Sequence, residues 1–245
     1  MSLTKRTILF AAASAAALTA GHAAAQNEGR TVDVITVTAQ KREEGIQDVP
    51  VAVTAYSEEL LSNAGVRDLK DLAVIAPGLN VTSTSNEFQT TARIRGIGTV
   101  GDNPGLESSV GVVINGVPRA RNGVGFGDLG EIERIEVLRG PQGTLYGRNT
   151  IGGAIKYVTA RMDGDPTLMA RVSGGSYNQL DYMVSASTPL SDTFAVGGAY
   201  ARYTRDGYGE NLTTGQDHYN KDVTAFRLSA EWTPTDDFSL RFAYD

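Results

Sequence analysis

The 245-residue sequence has no cysteine and only two histidines, His22 and His218. Disulfides, thiolate zinc sites and cysteine nucleophiles are therefore excluded, and a histidine-rich metal site or a histidine-based catalytic triad needs more than the chain has. A formal net charge of -6 leaves no excess of cations for a nucleic-acid backbone. Beyond the N-terminus there is no run of eighteen apolar residues, so a helical membrane protein is excluded as well. What is present, 41% apolar and 20% charged residues, is the composition of a folded chain long enough for one large domain or two ordinary ones.

Lys5 and Arg6 precede an almost wholly apolar run from Ile8 to Ala20, and Ala23 to Ala25 supply small residues for cleavage. This order is that of a secretory signal peptide, residues 1–25, which places the working protein outside the cytoplasm. A leader of residues 26–45 follows. Within it Thr31 to Ala39 (TVDVITVTA) is β-branched and free of proline and glycine, and reads as one lone strand between polar flanks.

From Ile46 to about residue 160 the texture is mixed. Ser57 to Asn63 and Val66 to Ile75 carry helical periodicity, punctuated by Gly65 and Pro77-Gly78. Val49–Thr54, Ala92–Arg95, Val110–Ile114, Ile132–Leu138 and Ala154–Val158 read as strands. Fifteen of the 28 glycines lie between Gly96 and Gly153, so tight turns dominate and a compact α+β module is expected. From residue 161 the period changes to two. Leu180, Tyr182, Val184 and Ala186 alternate with Asp181, Met183, Ser185 and Ser187, and Phe226, Leu228, Ala230 and Trp232 alternate with Arg227, Ser229 and Glu231. Strands near 167–176, 180–187, 193–204, 222–233 and 237–245 are joined by short turns at 188–192 and 233–237 and a long polar loop at 205–220. Twelve of the 18 aromatics fall in this part, as in a barrel with aromatic girdles. The dyad alone also fits a soluble antiparallel sheet.

Ile132 to Val158 (IERIEVLRGPQGTLYGRNTIGGAIKYV) resembles the segment that ends the plug of TonB-dependent outer-membrane receptors. Val34–Glu44 (VITVTAQKREE), Val49–Ser57, Leu69–Leu79, Ile94–Thr99 (IRGIGT) and Val110–Arg119 (VGVVINGVPR) agree with it in order and spacing. The resemblance covers most of residues 32 to 160. It implies an α+β plug domain, residues 46–160, followed by an incomplete antiparallel transmembrane β-barrel, residues 161–245. Five strands are too few to close a cylinder around a plug, so the N-terminal part of a longer receptor is expected.

The implied function is energised uptake of a scarce nutrient across the bacterial outer membrane, most readily a ferric siderophore or similar iron chelate, with no catalysis and no covalently bound cofactor. Val34, Ile35, Thr36, Val37, Thr38 and Ala39 would form the TonB box, pairing with the TonB C-terminal domain by strand addition; pairing within the plug is the alternative. Arg95 and Arg139 occupy the family's positions for plug arginines that pair with barrel glutamates, because a buried guanidinium without a carboxylate is costly. Arg119 and Arg121 are candidate anion contacts for the cargo, among plug tips at 82–90, 99–109 and 119–126. Two other readings stay open: a plug-like binding module or non-functional fragment without transport, and a secreted enzyme using an acidic pair around Glu131 and Glu136. For the carboxylates Glu58, Glu59, Asp68, Asp71, Glu131, Glu133 and Glu136 a solvated face is the expectation. Gly96, Gly98 and Gly101 spell a dinucleotide fingerprint, but Asp102-Asn103-Pro104-Gly105 follows where a helix must start.

Overall fold

The computed structural model describes residues 35–83, 90–99, 106–120, 132–162, 164–215, 217–235 and 237–245. The expected signal peptide, Val34, Arg121, Glu131 and most of the three expected plug tips lie outside the described residues.

The plug is built on a five-stranded sheet in the order β3-β9-β10-β7-β8. Its strands are β3 (Ala52–Ser57), β7 (Val110–Ile114), β8 (Val117–Arg119), β9 (Ile132–Arg139) and β10 (Gly153–Thr159). The β10–β7 pair is parallel and the others are antiparallel. Parallel strands are buried on both faces, which is why β7 reads as the unbroken apolar run Val-Gly-Val-Val-Ile. The short hairpin joining β7 to β8 turns on Asn115 and Gly116, both at positive φ, as a two-residue connection that follows strand twist requires. Where β10 begins, Gly153 has φ +146 and an added Cβ would lie 2.3 Å from the Leu138 carbonyl oxygen, so no other residue fits.

Alternation divides this sheet's surroundings in two. Ile135, Val137, Ile155 and Tyr157 join a core with Leu61, Leu69 and Leu72 of the helices α1 (Glu58–Asn63) and α2 (Leu69–Ile75). The intervening Leu138 and Ala154 join a second core with Val37, Ala39 and Tyr146. Ser57 caps α1 and Asp68 caps α2, the latter accepting from the backbone of Lys70 and Asp71. A smaller sheet of β4 (Leu79–Ser83), β5 (Thr90–Ile94) and β6 (Ile97–Gly98) completes the plug, and Arg95-Gly96 forms the apex between its last two strands. The glycines of the apparent fingerprint that are described, Gly96 and Gly98, thus serve a hairpin.

The second large sheet is an antiparallel meander, β11 (Thr167–Gly175), β12 (Gln179–Ser191), β13 (Phe194–Arg205), β16 (Lys221–Thr235) and β17 (Phe238–Tyr244). A small hairpin, β14 (Gly209–Glu210) with β15 (Asp217–His218), decorates the long connection. Up to the register shifts near Pro189 and Pro234, even-numbered residues share one face, as in Tyr182↔Arg202, Phe194↔Trp232 and Trp232↔Leu240. Leu180, Val184, Phe226, Leu228 and Phe242 stand exposed on that face, whereas Asp181, Ser185, Arg227 and Glu231 are buried on the other. A sheet folding in water does the reverse. The exposed apolar face and buried polar face fit strands with lipid outside and a plug inside, which resolves the ambiguity of the dyad pattern. Pro189 and Pro234 sit within strands rather than in the turns expected, at places where the ladder register shifts. No helix among the described residues is long and apolar enough to cross a membrane.

Candidate functional site: the leader and its charged cradle

The leader segment is not solitary. β1 (Thr36–Val37) pairs antiparallel with β2 (Glu44–Gly45), a neighbour the sequence reading did not find, and the ladder gains one further bond from the Ile46 N–H to the Ile35 carbonyl at 2.9 Å. Val37 and Ala39 are fully buried against Val113, Leu138, Tyr146 and Ala154, whereas Ile35 is 50% exposed. Between the two buried residues, Thr38 meets polar partners. Its N–H donates to Glu136 Oε1 at 2.9 Å, and its carbonyl accepts from Lys156 Nζ at 2.6 Å. Its hydroxyl lies within hydrogen-bond reach of Glu136, Arg134 and Lys156. The Tyr146 hydroxyl donates to the Ala39 carbonyl at 2.7 Å.

Glu136 is 0% exposed, which corrects the expectation of a solvated carboxylate there. A strand position between Ile135 and Val137 faces away from the helices, but both faces of this central strand are covered. The cost of burying its charge is offset by Arg134 Nε at 2.9 Å and Lys156 Nζ at 3.5 Å, while Glu133 pairs with Arg134 from the outside. Two cations and two carboxylates make the cluster neutral as a whole. Burial lowers the Lys156 pKa, Arg134 adds to that, and Glu136 opposes it. Burial, with the Glu136 charge behind it, pushes Tyr146 up to about 12, so its hydroxyl remains a donor at neutral pH. The arrangement grips one residue of backbone through side chains on the central sheet, with only a two-residue ladder of its own.

Arg95 lies exposed at its hairpin apex, its N–H donating to the Gly78 carbonyl. Arg139 donates to Thr54 Oγ1 at 2.6 Å and to the Pro77 carbonyl at 3.3 Å. Neither has a carboxylate in ion-pair range among the described residues. Arg119 pairs with Asp245 at 2.5 Å, and the same carboxylate accepts from Arg227 of β16. Other contacts of plug and wall were not read from the sequence: Arg241 reaches both Glu231 and Thr159, and Arg67 reaches Asp181. Only the polar inward positions of the dyad hinted at them. Among the described residues no group of three histidine, aspartate or glutamate side chains is placed to hold a metal.

Residues 45–154 match the TonB-dependent Receptor Plug Domain family. The pesticin receptor of Yersinia pestis is 32% identical over 219 residues, 87% of this chain and 32% of that receptor. The vitamin B12 transporter BtuB of Vibrio vulnificus (strain CMCP6) is 30% identical over 193 residues, 78% of this chain and 30% of the transporter. Among solved structures, the ferric yersiniabactin uptake receptor FyuA from Yersinia pestis superposes with a TM-score of 0.69 at 28% identity, over 79% of this chain and 30% of that one. These relatives are receptors and transporters rather than enzymes, and this chain spans about a third of their length. With a plug domain that continues into strands of a membrane wall, the chain belongs to the TonB-dependent outer-membrane receptors.

Proposed function

We propose that this chain is the plug and first wall strands of an outer-membrane importer whose cargo is a ferric siderophore or similar iron chelate, and whose leader is the element that TonB draws. The observation that carries the reading is the way Ile35–Ala39 is held. It is held by a two-residue ladder, by the burial of Val37 and Ala39 and by side-chain contacts to Thr38 and Ala39, so it can leave without breaking any strand pair of the central sheet. Once free, its β-branched backbone offers unpaired donors and acceptors to the sheet edge of a partner. Val34, Ile35, Thr36, Val37, Thr38 and Ala39 are the residues assigned to that contact. The iron assignment draws on the ferric yersiniabactin receptor among the relatives, with cobalamin, the cargo named for another relative, as its direct competitor.

The test uses the full-length receptor in outer membranes of living cells. Replacing Ile35 and Val37 together with proline removes two backbone donors and the extended pairing surface. Uptake of radiolabelled ferric yersiniabactin is expected to fall to background while its binding at the cell surface persists. Normal uptake by the double variant sinks the leader assignment, and uptake of labelled cobalamin in place of the iron chelate reassigns the cargo.

A further inference from the structure

We infer that the corner between α1 and α2 is a fixed tether joining the plug to the wall, on the face of the central sheet opposite the leader. Arg67 and Asp68 are adjacent in sequence and carry opposite charges, and each meets its complement on the second large sheet. Arg67 pairs with Asp181 of β12 and donates to Ser173 Oγ of β11 at 3.0 Å. Asp68 Oδ2 lies 3.4 Å from Lys221 Nζ of β16, and that ammonium also sits over the Tyr203 ring of β13, 5.3 Å from its centroid. Three of the five wall strands thus converge on two plug residues, and a fourth, β13, braces Lys221 from behind.

The corner is rigid on the plug side as well. The other carboxylate oxygen of Asp68 caps α2 through the Lys70 and Asp71 N–H groups at 2.8 and 2.9 Å. The Arg67 N–H donates to Asp71 Oδ2 at 3.0 Å. On the wall side, Gln179 donates to the Asp181 carboxylate at 2.6 Å, and Asp181 is 5% exposed. An exposed ion pair contributes little. A crossed pair of partly buried ion pairs, with each carboxylate held by further donors, resists exchange with water and fixes orientation. The placement separates two tasks. Leu69 and Leu72 of this corner pack with the Ile135 and Val137 face of the sheet, whereas the leader packs with its Leu138 and Ala154 face. A pull on the leader therefore loads the sheet from one side while the tether holds the other, and the plug yields inside itself before it leaves the wall.

These 245 residues contain no cysteine, so Arg67→Cys with Asp181→Cys, in a full-length receptor whose cysteines elsewhere are replaced by serine, introduces a single thiol pair for a short bismaleimide. In the full-length receptor in cells, cross-link yield is expected to be the same with the inner membrane energised and after its proton-motive force is collapsed. A yield that drops on energisation, or no cross-link in either state, overturns the tether. Amide hydrogen exchange tests the same contact without cysteines. Asp181→Asn with Lys221→Gln should speed exchange in α2 by about tenfold and leave the Thr38 amide unchanged, and the reversed pair Arg67→Asp with Asp181→Arg should restore part of the protection lost in Asp181→Arg alone. Unaltered α2 exchange, or no rescue, overturns the inference. Neither readout uses cargo, so a receptor that imports neither iron chelate nor cobalamin weakens the transport reading and leaves this one to be decided on its own.

Discussion

The two large sheets of this chain alternate in side-chain character with the same period, yet bury opposite sets. In the plug, Ile135, Val137, Ile155 and Tyr157 are enclosed by helices. In the wall, Leu180, Val184, Phe226 and Leu228 stand outward while Asp181, Arg227 and Glu231 are enclosed. The period fixes which residues share a face but not which face is inside. The medium decides that: the plug completes its own apolar core, whereas the wall sheet has its apolar side matched to lipid and its polar side to the plug.

The sharpest way to break the comparison is to place a charge on each enclosed or outward apolar position in turn. Ile155→Asp puts an unpaired carboxylate in the centre of the plug core and should cost on the order of 5 kcal/mol. The plug then loses protection from proteolysis while the wall strands stay folded in membranes. Glu136→Gln, on the other face of the same sheet, leaves Lys156 buried without its counter-charge and Arg134 with Glu133 alone. The expected loss is about 3 kcal/mol, read as faster exchange of the Thr38 and neighbouring leader amides. Adding Lys156→Met should recover part of that loss, since the two residues act as one cluster; strictly additive effects would show that no cluster exists. On the wall, Val184→Arg is expected to cost about 2–4 kcal/mol in lipid vesicles, measured by urea titration of the refolded full-length receptor. The same substitution placed at the enclosed neighbour Ser185 should be tolerated better than at Val184. The opposite ranking would mean that the wall is not a membrane sheet.

Much of this was legible because local pattern and tertiary role coincide. β7 was placed residue for residue as Val110–Ile114, and β9 and β10 to within a residue or so at either end, because β-branched runs bounded by glycine leave little choice. The wall strands follow from the dyad, and α1 and α2 from apolar spacing and the glycine and proline beyond their ends, although the helical expectation from Val66 starts three residues before α2, whose first turn is set by the Asp68 cap. β3 was misplaced by three residues, since Pro50 and the run of small residues after it give no sharp boundary and the true register is set by pairing with β9. The leader's partner β2 was missed because a two-residue ladder has no periodicity to detect. The burial of Glu136 is not legible in the sequence, because it depends on cations brought by Arg134 and by Lys156 of a different strand. The role of Arg67 is hidden for the same reason, its partner lying 114 positions away.

Two smaller changes sharpen the contrast at the corner where plug and wall meet. Asp68 both caps α2 and pairs with Lys221. Asparagine can still cap, whereas alanine cannot, so Asp68→Ala should destabilise α2 by about 1 kcal/mol and Asp68→Asn by less. Thermal melts of the two variants, with α2 exchange as the local readout, separate cap from ion pair. Equal losses would assign the whole effect to the charge.

Asp71 supplies the finest test, because its titration reports the corner without disturbing its contacts. Burial raises its pKa above the ordinary aspartate value, and the neighbouring Asp68 carboxylate raises it further, against bonds from Arg67 and the charge of Lys221. A raised carboxyl pKa means that the folded state holds a proton more firmly than the unfolded chain. The penalty is therefore complete above the folded pKa, where both states are ionised, and disappears as pH falls through the folded value toward the unfolded one, near about 3.9. Asp71→Asn keeps an oxygen to accept the Arg67 N–H and removes the charge. The variant should be the more stable protein at neutral pH by a few tenths of a kcal/mol to about 1 kcal/mol, with the advantage shrinking as the solution is acidified toward about pH 4. Urea midpoints of the two proteins measured across that range decide the point: parallel curves would show that Asp71 titrates as though exposed, and that water reaches the corner where plug and wall are joined.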